Sequence, residues 1–269
     1  MATLHFGKPR AAEDPDDSWP QVPHQFRALS APLPQPWEDI FGPLRTGKVD
    51  DLVVVGQIGQ SLDGRVATTT GRSHYINGPA GVTHLHRLRA LVDAVLVGVE
   101  TACSDDPQLT VRHVEGPNPV RVVLDPRGRL PPHARLLVQD TRRIVITAQG
   151  ASCRLSGAEI LPLPATDGHI APTAILTGLA ERGLRRVLVE GGPETVSRFL
   201  RAGCLDRVHI VVAPLILGAG RPSLAFGAID QVDEALRPSV HVHRLGDDML
   251  FDCDFSAQRI AIWRAQKST

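Results

Sequence analysis

Hydrophobic residues in this chain come in short, dense runs separated by longer stretches of mixed polarity. Runs rich in Val, Ile and Leu at 52–58, 94–98, 120–125, 143–148, 186–190 and 207–213 predict β-strands. Phrases such as RVLVE and HIVVAPLIL lack the alternation of a half-exposed strand and predict strands covered on both faces. Between them, PAGVTHLHRLRALV (79–92) places Val82, Leu85, Leu88 and Leu91 or Val92 at helical spacing, and 172–182 and 193–202 also predict helices. Beyond Pro238, SVHVHRLGDDMLFDCDF and QRIAIWRA predict antiparallel strands that finish the sheet. The pattern defines an α/β fold with one mixed, mostly parallel sheet and no internal repeat.

Residues 1–48 depart from this pattern. They hold eight of the 22 prolines and show no sustained periodicity, which predicts an extended arm on the surface of a domain formed by 49–269. Trp19, Phe26, Trp37 and Phe41 predict that parts of the arm dock in apolar grooves.

Composition then narrows the function. The 29 basic and 29 acidic residues cancel, which argues against a nucleic-acid or anionic-membrane partner, since both require a basic field. The opening MATLHFGKPRAAEDPDD has no apolar core of a secretory signal. No apolar run approaches the ~18 residues of a membrane helix. The expectation is a soluble, cytoplasmic protein. Cys103, Cys153, Cys204 and Cys253 are widely spaced without a C-x-x-C and predict isolated thiols. His84 and His86 point apart on a helix, and His241 and His243 share a strand face without a third ligand nearby, so no metal is expected.

In an open α/β sheet, ligands collect at the carboxyl ends of the parallel strands. The strongest such end is RRVLVEGGPETVSRFL (185–200), where Glu190 is followed by Gly191 and Gly192 and Pro193 opens a helix. Free N–H groups at that helix start suit a phosphate, although a Gly-Gly turn alone is equally a geometric device. The second end, VGVETACSDDPQLTVR (97–112), gathers Thr101, Asp105, Asp106 and Arg112. It reads either as a local turn or as a polar binding rim. The third, LDPRGRLPP (124–132), carries Arg127 and Arg129, for which surface solubility suffices.

Three phrases together, SLDGRVAT (61–68), DDPQLTVR (105–112) and VEGGPET (189–195), flanked by RLRALVDAVLVGVET and LDRVHIVVAPLILG, resemble the riboflavin-biosynthesis pyrimidine reductase family over residues 50–264. That resemblance implies a dihydrofolate-reductase-like three-layer fold, a homodimer, NADPH as hydride donor, and a phosphoribosylaminopyrimidine whose ribosyl group becomes ribityl. It places Gly59, Thr101, Asp105 and the loop Gly191, Gly192, Pro193, Glu194, Thr195 and Val196 at the cofactor. It places Gln57, Ser73, Arg89, Leu109, Arg112 and Glu190 at the substrate. Arg89 and Arg112 would then pair with a phosphate. Glu190 would accept hydrogen bonds from the pyrimidine, and Asp105 would organise the proton that accompanies the hydride.

The chain departs from the family in three respects. Residues 1–48 lack the zinc-ligand cysteines and H-x-E of a deaminase. Gln57 stands where many fused enzymes have lysine, and Glu100–Ala102 reads ETA where GTV is frequent. The alternatives are a same-fold reductase of a pterin or another carbonyl or imine, and a cofactor-binding protein without catalysis.

Overall fold

A computed structural model describes residues 15–73, 76–153 and 155–264. The opening stretch that bears on a secretory signal falls mostly outside these. The strands are β1 (Val53–Ser61), β2 (Arg65–Thr68), β3 (Ala94–Gly98), β4 (Val120–Leu124), β5 (Arg143–Ala148), β6 (Glu159–Leu163), β7 (Ala165–Thr166), β8 (His169–Ile170), β9 (Arg186–Glu190), β10 (Arg207–Ala213), β11 (Gly220–Pro222), β12 (Ser239–Leu245) and β13 (Asp248–Asp254). The α-helices are α1 (Val22–Ala28), α2 (Trp37–Phe41), α3 (Pro79–Leu91), α4 (Val99–Asp105), α5 (Pro172–Ala180) and α6 (Pro193–Arg201).

Nine strands form one sheet in the order β12-β13-β10-β1-β9-β3-β4-β5-β6. Neighbours from β10 to β6 run parallel, and β13 and β12 add antiparallel at the other end. This is the mixed sheet that the sequence predicts. β2 and β11 form a separate two-stranded ribbon, as do β7 and β8.

The central strand β1 shows why its apolar run is unbroken. Val53 and Val55 join a core with α3, whereas Leu52, Val54 and Ile58 join a second core with α5 and α6. Alternate side chains thus serve opposite layers. By the same alternation Gln57 faces the α3 side, flanked in register by Glu190 of β9 and His209 of β10.

The structure departs from the pattern in three places. Over 259–264 the segment QRIAIWRA makes no strand and runs as irregular chain, pinned where Asp50 Oδ2 accepts the N–H groups of Ile262 (2.6 Å) and Trp263 (3.1 Å). Strand β6 went unread because Pro162 interrupts its apolar run, which an edge position tolerates. On α3, Leu88 and Leu91 of the helical stripe are buried and Leu85 packs against the same core, but Val82 is 37 % exposed and His84, His86, Arg87 and Arg89 are buried as well.

The arm accounts for that buried polar face. From residue 15 onward it folds as short helices, not as an extended strap, and Trp19, Val22, Phe26, Trp37, Ile40, Phe41 and Leu44 belong to the same core as Leu88 and Val53. Phe41 stacks on the imidazole of His84 with ring centres 5.5 Å apart, and Arg87 lies 4.4 Å over Trp37. The indole N–H groups are satisfied, Trp19 by Glu115 O (2.8 Å) and Trp37 by Ser18 Oγ (2.9 Å), so their burial leaves no orphan donor. Residue 48 therefore marks no boundary in the hydrophobic core.

Removing residues 1–48 should give insoluble or strongly destabilised protein, because it strips the cover from α3. In the full chain, Phe41→Ala should lower stability by ~3–5 kcal/mol. Denaturant unfolding measures both; a truncated protein with the full chain's unfolding midpoint would show the arm to be dispensable.

Candidate active site

The carboxyl ends of β1, β3 and β9 open into a cavity of about 470 Å³. Gln57 and Gly59 of β1, Thr101 and Asp105 of α4, Ser73, Leu109, Glu190, Gly191, Gly192 and Pro193 all line it. Residues far apart in the chain are thus brought to one place. Arg89, Arg112, Glu194, Thr195 and Val196 stand outside its lining.

The glycine turn shows how tightly the place is built. Gly191 has φ +79° and Gly192 φ +27°, backbone that an L side chain rarely adopts. A Cβ on Gly191 would lie 2.9 Å from Thr101 Cγ2, and one on Gly192 3.0 Å from Thr101 Oγ1. Thr101 therefore backs the turn directly. Pro193 then opens α6, whose positive end faces the cavity. The turn and helix start fit a phosphate group held by backbone N–H donors. Within α6 the predicted contacts separate. Glu194 reaches outward to Arg201 (3.2 Å), and Val196 is fully buried in the core under β1, so its side chain is unavailable to a ligand.

Glu190 and Arg89 form a buried, bidentate ion pair, each less than a tenth exposed. Arg89 Nε donates to Glu190 Oε2 at 2.9 Å, Nη2 donates to Oε1, and Nη1 donates to Thr110 O at 3.0 Å. The guanidinium for which the resemblance implies a phosphate here holds Glu190 in orientation. Arg112 is exposed, and its Nη1 donates to Thr110 Oγ1 at 2.7 Å. Its pKa is lowered, first by desolvation and then by the neighbouring cations Arg89 and Arg135.

The two aspartates of DDPQLTVR divide the two roles that the sequence left open. Asp106 makes the turn: it caps α4 in the left-handed region at φ +39°, and its Oδ1 accepts the Arg135 N–H at 2.8 Å. Asp105 lines the cavity and accepts only the neighbouring Ser104 hydroxyl, at 2.8 Å, among the described residues. Gln57 lines the cavity 8 % exposed, and its side-chain amide has no hydrogen bond among the described residues.

Sequence reasoning missed Asn77 and Arg221, which also line the cavity. Asn77 Nδ2 donates to Val211 O (3.1 Å), and a Cβ on Gly59 would strike its Oδ1. Its place before Gly78-Pro79 marks a helix entry, the one signal available. Arg221 sits in a glycine-flanked stretch without periodicity. Of the third strand end, Arg129 pairs with Glu100 at 3.0 Å, as a surface role requires.

Sheet order, with a cavity at the carboxyl ends of its central strands, belongs to the dihydrofolate-reductase-like class of fold. The RibD C-terminal domain family matches residues 53–251, and the chain belongs to that family. The 2,5-diamino-6-ribosylamino-4(3H)-pyrimidinone 5′-phosphate reductase of Methanothermobacter thermautotrophicus is 32% identical over 212 residues, 74% of this chain and 96% of the relative. Riboflavin biosynthesis protein RibD of Aquifex aeolicus is 36% identical over 71% of this chain, which spans only 54% of that relative. Among solved structures, the Thermotoga maritima diaminohydroxyphosphoribosylaminopyrimidine deaminase/5-amino-6-(5-phosphoribosylamino)uracil reductase aligns with a TM-score of 0.67 at 29% identity, over 81% of this chain and 59% of that one. Membership of this reductase family makes the chain an oxidoreductase.

The rim carries a titratable group with a clear consequence. His86 is buried, its Nδ1 accepts the Arg112 N–H at 3.0 Å, and desolvation, followed by Arg89 and Arg112, lowers its pKa to about 3 from 6.5. Between those values the unfolded chain takes up a proton that the folded protein refuses. Stability should therefore fall as pH drops below 6.5, by up to ~1.4 kcal/mol per pH unit from this group. Urea unfolding from pH 7 to 5 should show a shallower pH dependence in His86→Gln than in the wild type; equal slopes would contradict the assignment.

Proposed function

We propose that the protein reduces the ribosyl group of a phosphoribosylaminopyrimidine to ribityl with NADPH, in the cytoplasm and as a homodimer. The observation that carries this reading is the convergence of Gln57, Gly59, Thr101, Asp105, Glu190 and the Gly191–Gly192 turn on one cavity. When bound, NADPH supplies a hydride. Gly191, Gly192 and Pro193 would hold its pyrophosphate at the start of α6, with Thr101 behind them and Gly59 leaving room at the reacting end.

The chain's own residues then have to place the pyrimidine and move protons. Opening the ribose transfers a proton from the exocyclic nitrogen to the ring oxygen and leaves a C1′=N bond. Reducing that bond adds hydrogen at C1′ and returns a proton to the nitrogen. Asp105, on the cavity wall and hydrogen-bonded among the described residues only to Ser104, is the carboxylate suited to that relay. Glu190, its orientation fixed by Arg89, accepts from the pyrimidine N–H groups. The exposed apolar side chains of Val240, Val242 and Met249 on β12 and β13 support a second copy as partner.

Gln57 selects the pyrimidine. An unpaired amide offers a donor and an acceptor without charge, which suits the diamino ring that precedes deamination. The name of the Methanothermobacter relative agrees with that choice. With NADPH, the wild type should turn over the diaminopyrimidine in preference to its deaminated counterpart. Gln57→Lys should shift the kcat/KM ratio toward the deaminated compound. Strong preference of the wild type for the deaminated substrate, unchanged by the substitution, would refute this role.

Asp105→Asn keeps the shape and removes the proton acceptor. It should lower kcat by ~100-fold or more while NADPH binding, followed by fluorescence titration, stays within a few-fold. An active Asp105→Asn enzyme would exclude the carboxylate from the proton relay.

A further inference from the structure

The start of α3 is held by a carboxylate that does not line the cavity. Asp248 opens β13 directly after the turn Gly246–Asp247, pairs in register with Leu245, and is 1 % exposed. Its Oδ2 accepts the N–H of Gly78 at 2.8 Å. The Asn77 side chain hydrogen-bonds the same carboxylate and favours its ionised form, so the amide N–H is the donor. α3 begins without a side-chain cap and without an acidic residue in its first turn, and Asp248 supplies both from 170 residues away. Gly81 makes room for it: a Cβ there would lie 2.6 Å from Asp248 Oδ2.

A side-chain amide donates at one end and accepts at the other. With Nδ2 donating to Val211 O (3.1 Å) and to Asp248, the oxygen of Asn77 is the end left for the cavity. It accepts no hydrogen bond among the described residues and lies against Gly59, where a Cβ would strike it. β1 pairs with β9 only as far as Gln57, while its pairing with β10 continues to Ser61. Beyond Gln57 that edge of β1 has no strand partner among the described residues. An unpaired strand edge with a fixed carbonyl oxygen beside it suits a planar group that carries both N–H and C=O, which is a primary carboxamide.

We propose that Asn77 determines specificity at this end of the cavity, its Oδ1 accepting an N–H of the nicotinamide carboxamide, and that Asp248 is the positioning residue that fixes the amide. The inference rests on the cofactor reading above. An amino group of the pyrimidine carries the same N–H chemistry, and the two donors are separable by experiment.

The test uses the full chain, NADP+ and its 3-acetylpyridine analogue, in which a methyl group replaces the carboxamide NH2. Calorimetry should show the wild type binding NADP+ ~10-fold more tightly than the analogue. Asn77→Leu keeps the bulk and removes the acceptor; it should bring the ratio to ~2-fold or less by weakening NADP+ alone. Asp248→Asn removes the carboxylate that orients the amide and should lower the ratio likewise, with affinity for the analogue within ~2-fold of wild type. The double variant should show the Asn77→Leu ratio, because both changes remove one interaction. Were Asp248 only a cap of α3, its loss would weaken both dinucleotides in proportion; a wild-type ratio in Asp248→Asn therefore overturns the positioning role. Should that variant fail to fold, Gly81→Ala, which displaces the carboxylate and keeps its charge, decides the same point. A wild-type ratio in Asn77→Leu overturns the carboxamide assignment, and a raised KM for the pyrimidine in that variant would give the oxygen to the substrate. Equal affinity of the wild type for both dinucleotides overturns the assignment and leaves the cofactor reading intact, whereas absence of NADP+ binding refutes the two together.

Discussion

The site depends on one buried ion pair. Taking Arg89 and Glu190 out of water costs several kcal/mol per ion, and only bidentate geometry with the remaining donors satisfied offsets it. Both conditions are met: two guanidinium nitrogens face the carboxylate and a third faces the Thr110 carbonyl. The pair ties the last turn of α3 to the end of β9 and, through Thr110, to the loop that follows α4 and carries Leu109. Three walls of the cavity are thus fixed relative to one another by a single side chain that does not line it. Loss of either charge would leave the other buried without a partner, a far larger penalty than the loss of a surface pair.

The same helix explains the arm. α3 turns two histidines and two arginines inward, a polar face that water would ordinarily cover. His84 is in line with His209 (Nε2 to Nδ1, 3.0 Å), whose other nitrogen lies 3.3 Å from Asp252, itself held by Arg207. Burial lowers the His84 pKa well below its ordinary range, so it stays neutral. Such a chain is sustainable only where solvent is excluded. Phe41 over His84, and Trp37 and Trp19 over Arg87, provide that exclusion with aromatic faces compatible with both imidazole and guanidinium.

The interior strands were legible because burial on both faces writes itself as an unbroken Val-Ile-Leu run, as at 94–98 and 186–190. The Glu190-Gly191-Gly192 end was legible for the same reason, since polar and glycine residues directly after such a run need a cause. The arm was not, because helices of five and seven residues contain too few turns to show a period. Nor was the reach of Asp63, whose carboxylate accepts the N–H groups of Leu217 and Gly218, more than 150 residues away in the chain. Hydrogen bonds of that kind leave no trace in local pattern. Arg89 illustrates the deeper limit: its residue type fits a phosphate and a carboxylate equally, and its bonds to Glu190, 101 residues further along the chain, leave no local mark.

The position of β1 also sets an order of events in time. It is the first strand of the sheet to leave the ribosome, yet its two neighbours are among the last, β9 and β10. Val53 meets Arg186 and Val55 meets Arg207, so at typical synthesis rates the partners follow roughly ten seconds or more later. During that interval the apolar start of β1, Val53–Val55, has no sheet to join. The hairpin of β12 and β13, by contrast, closes between adjacent segments as soon as it is made. The centre of the finished sheet is thus closed late in synthesis, and a nascent chain must keep Val53–Ile58 out of foreign pairings until then.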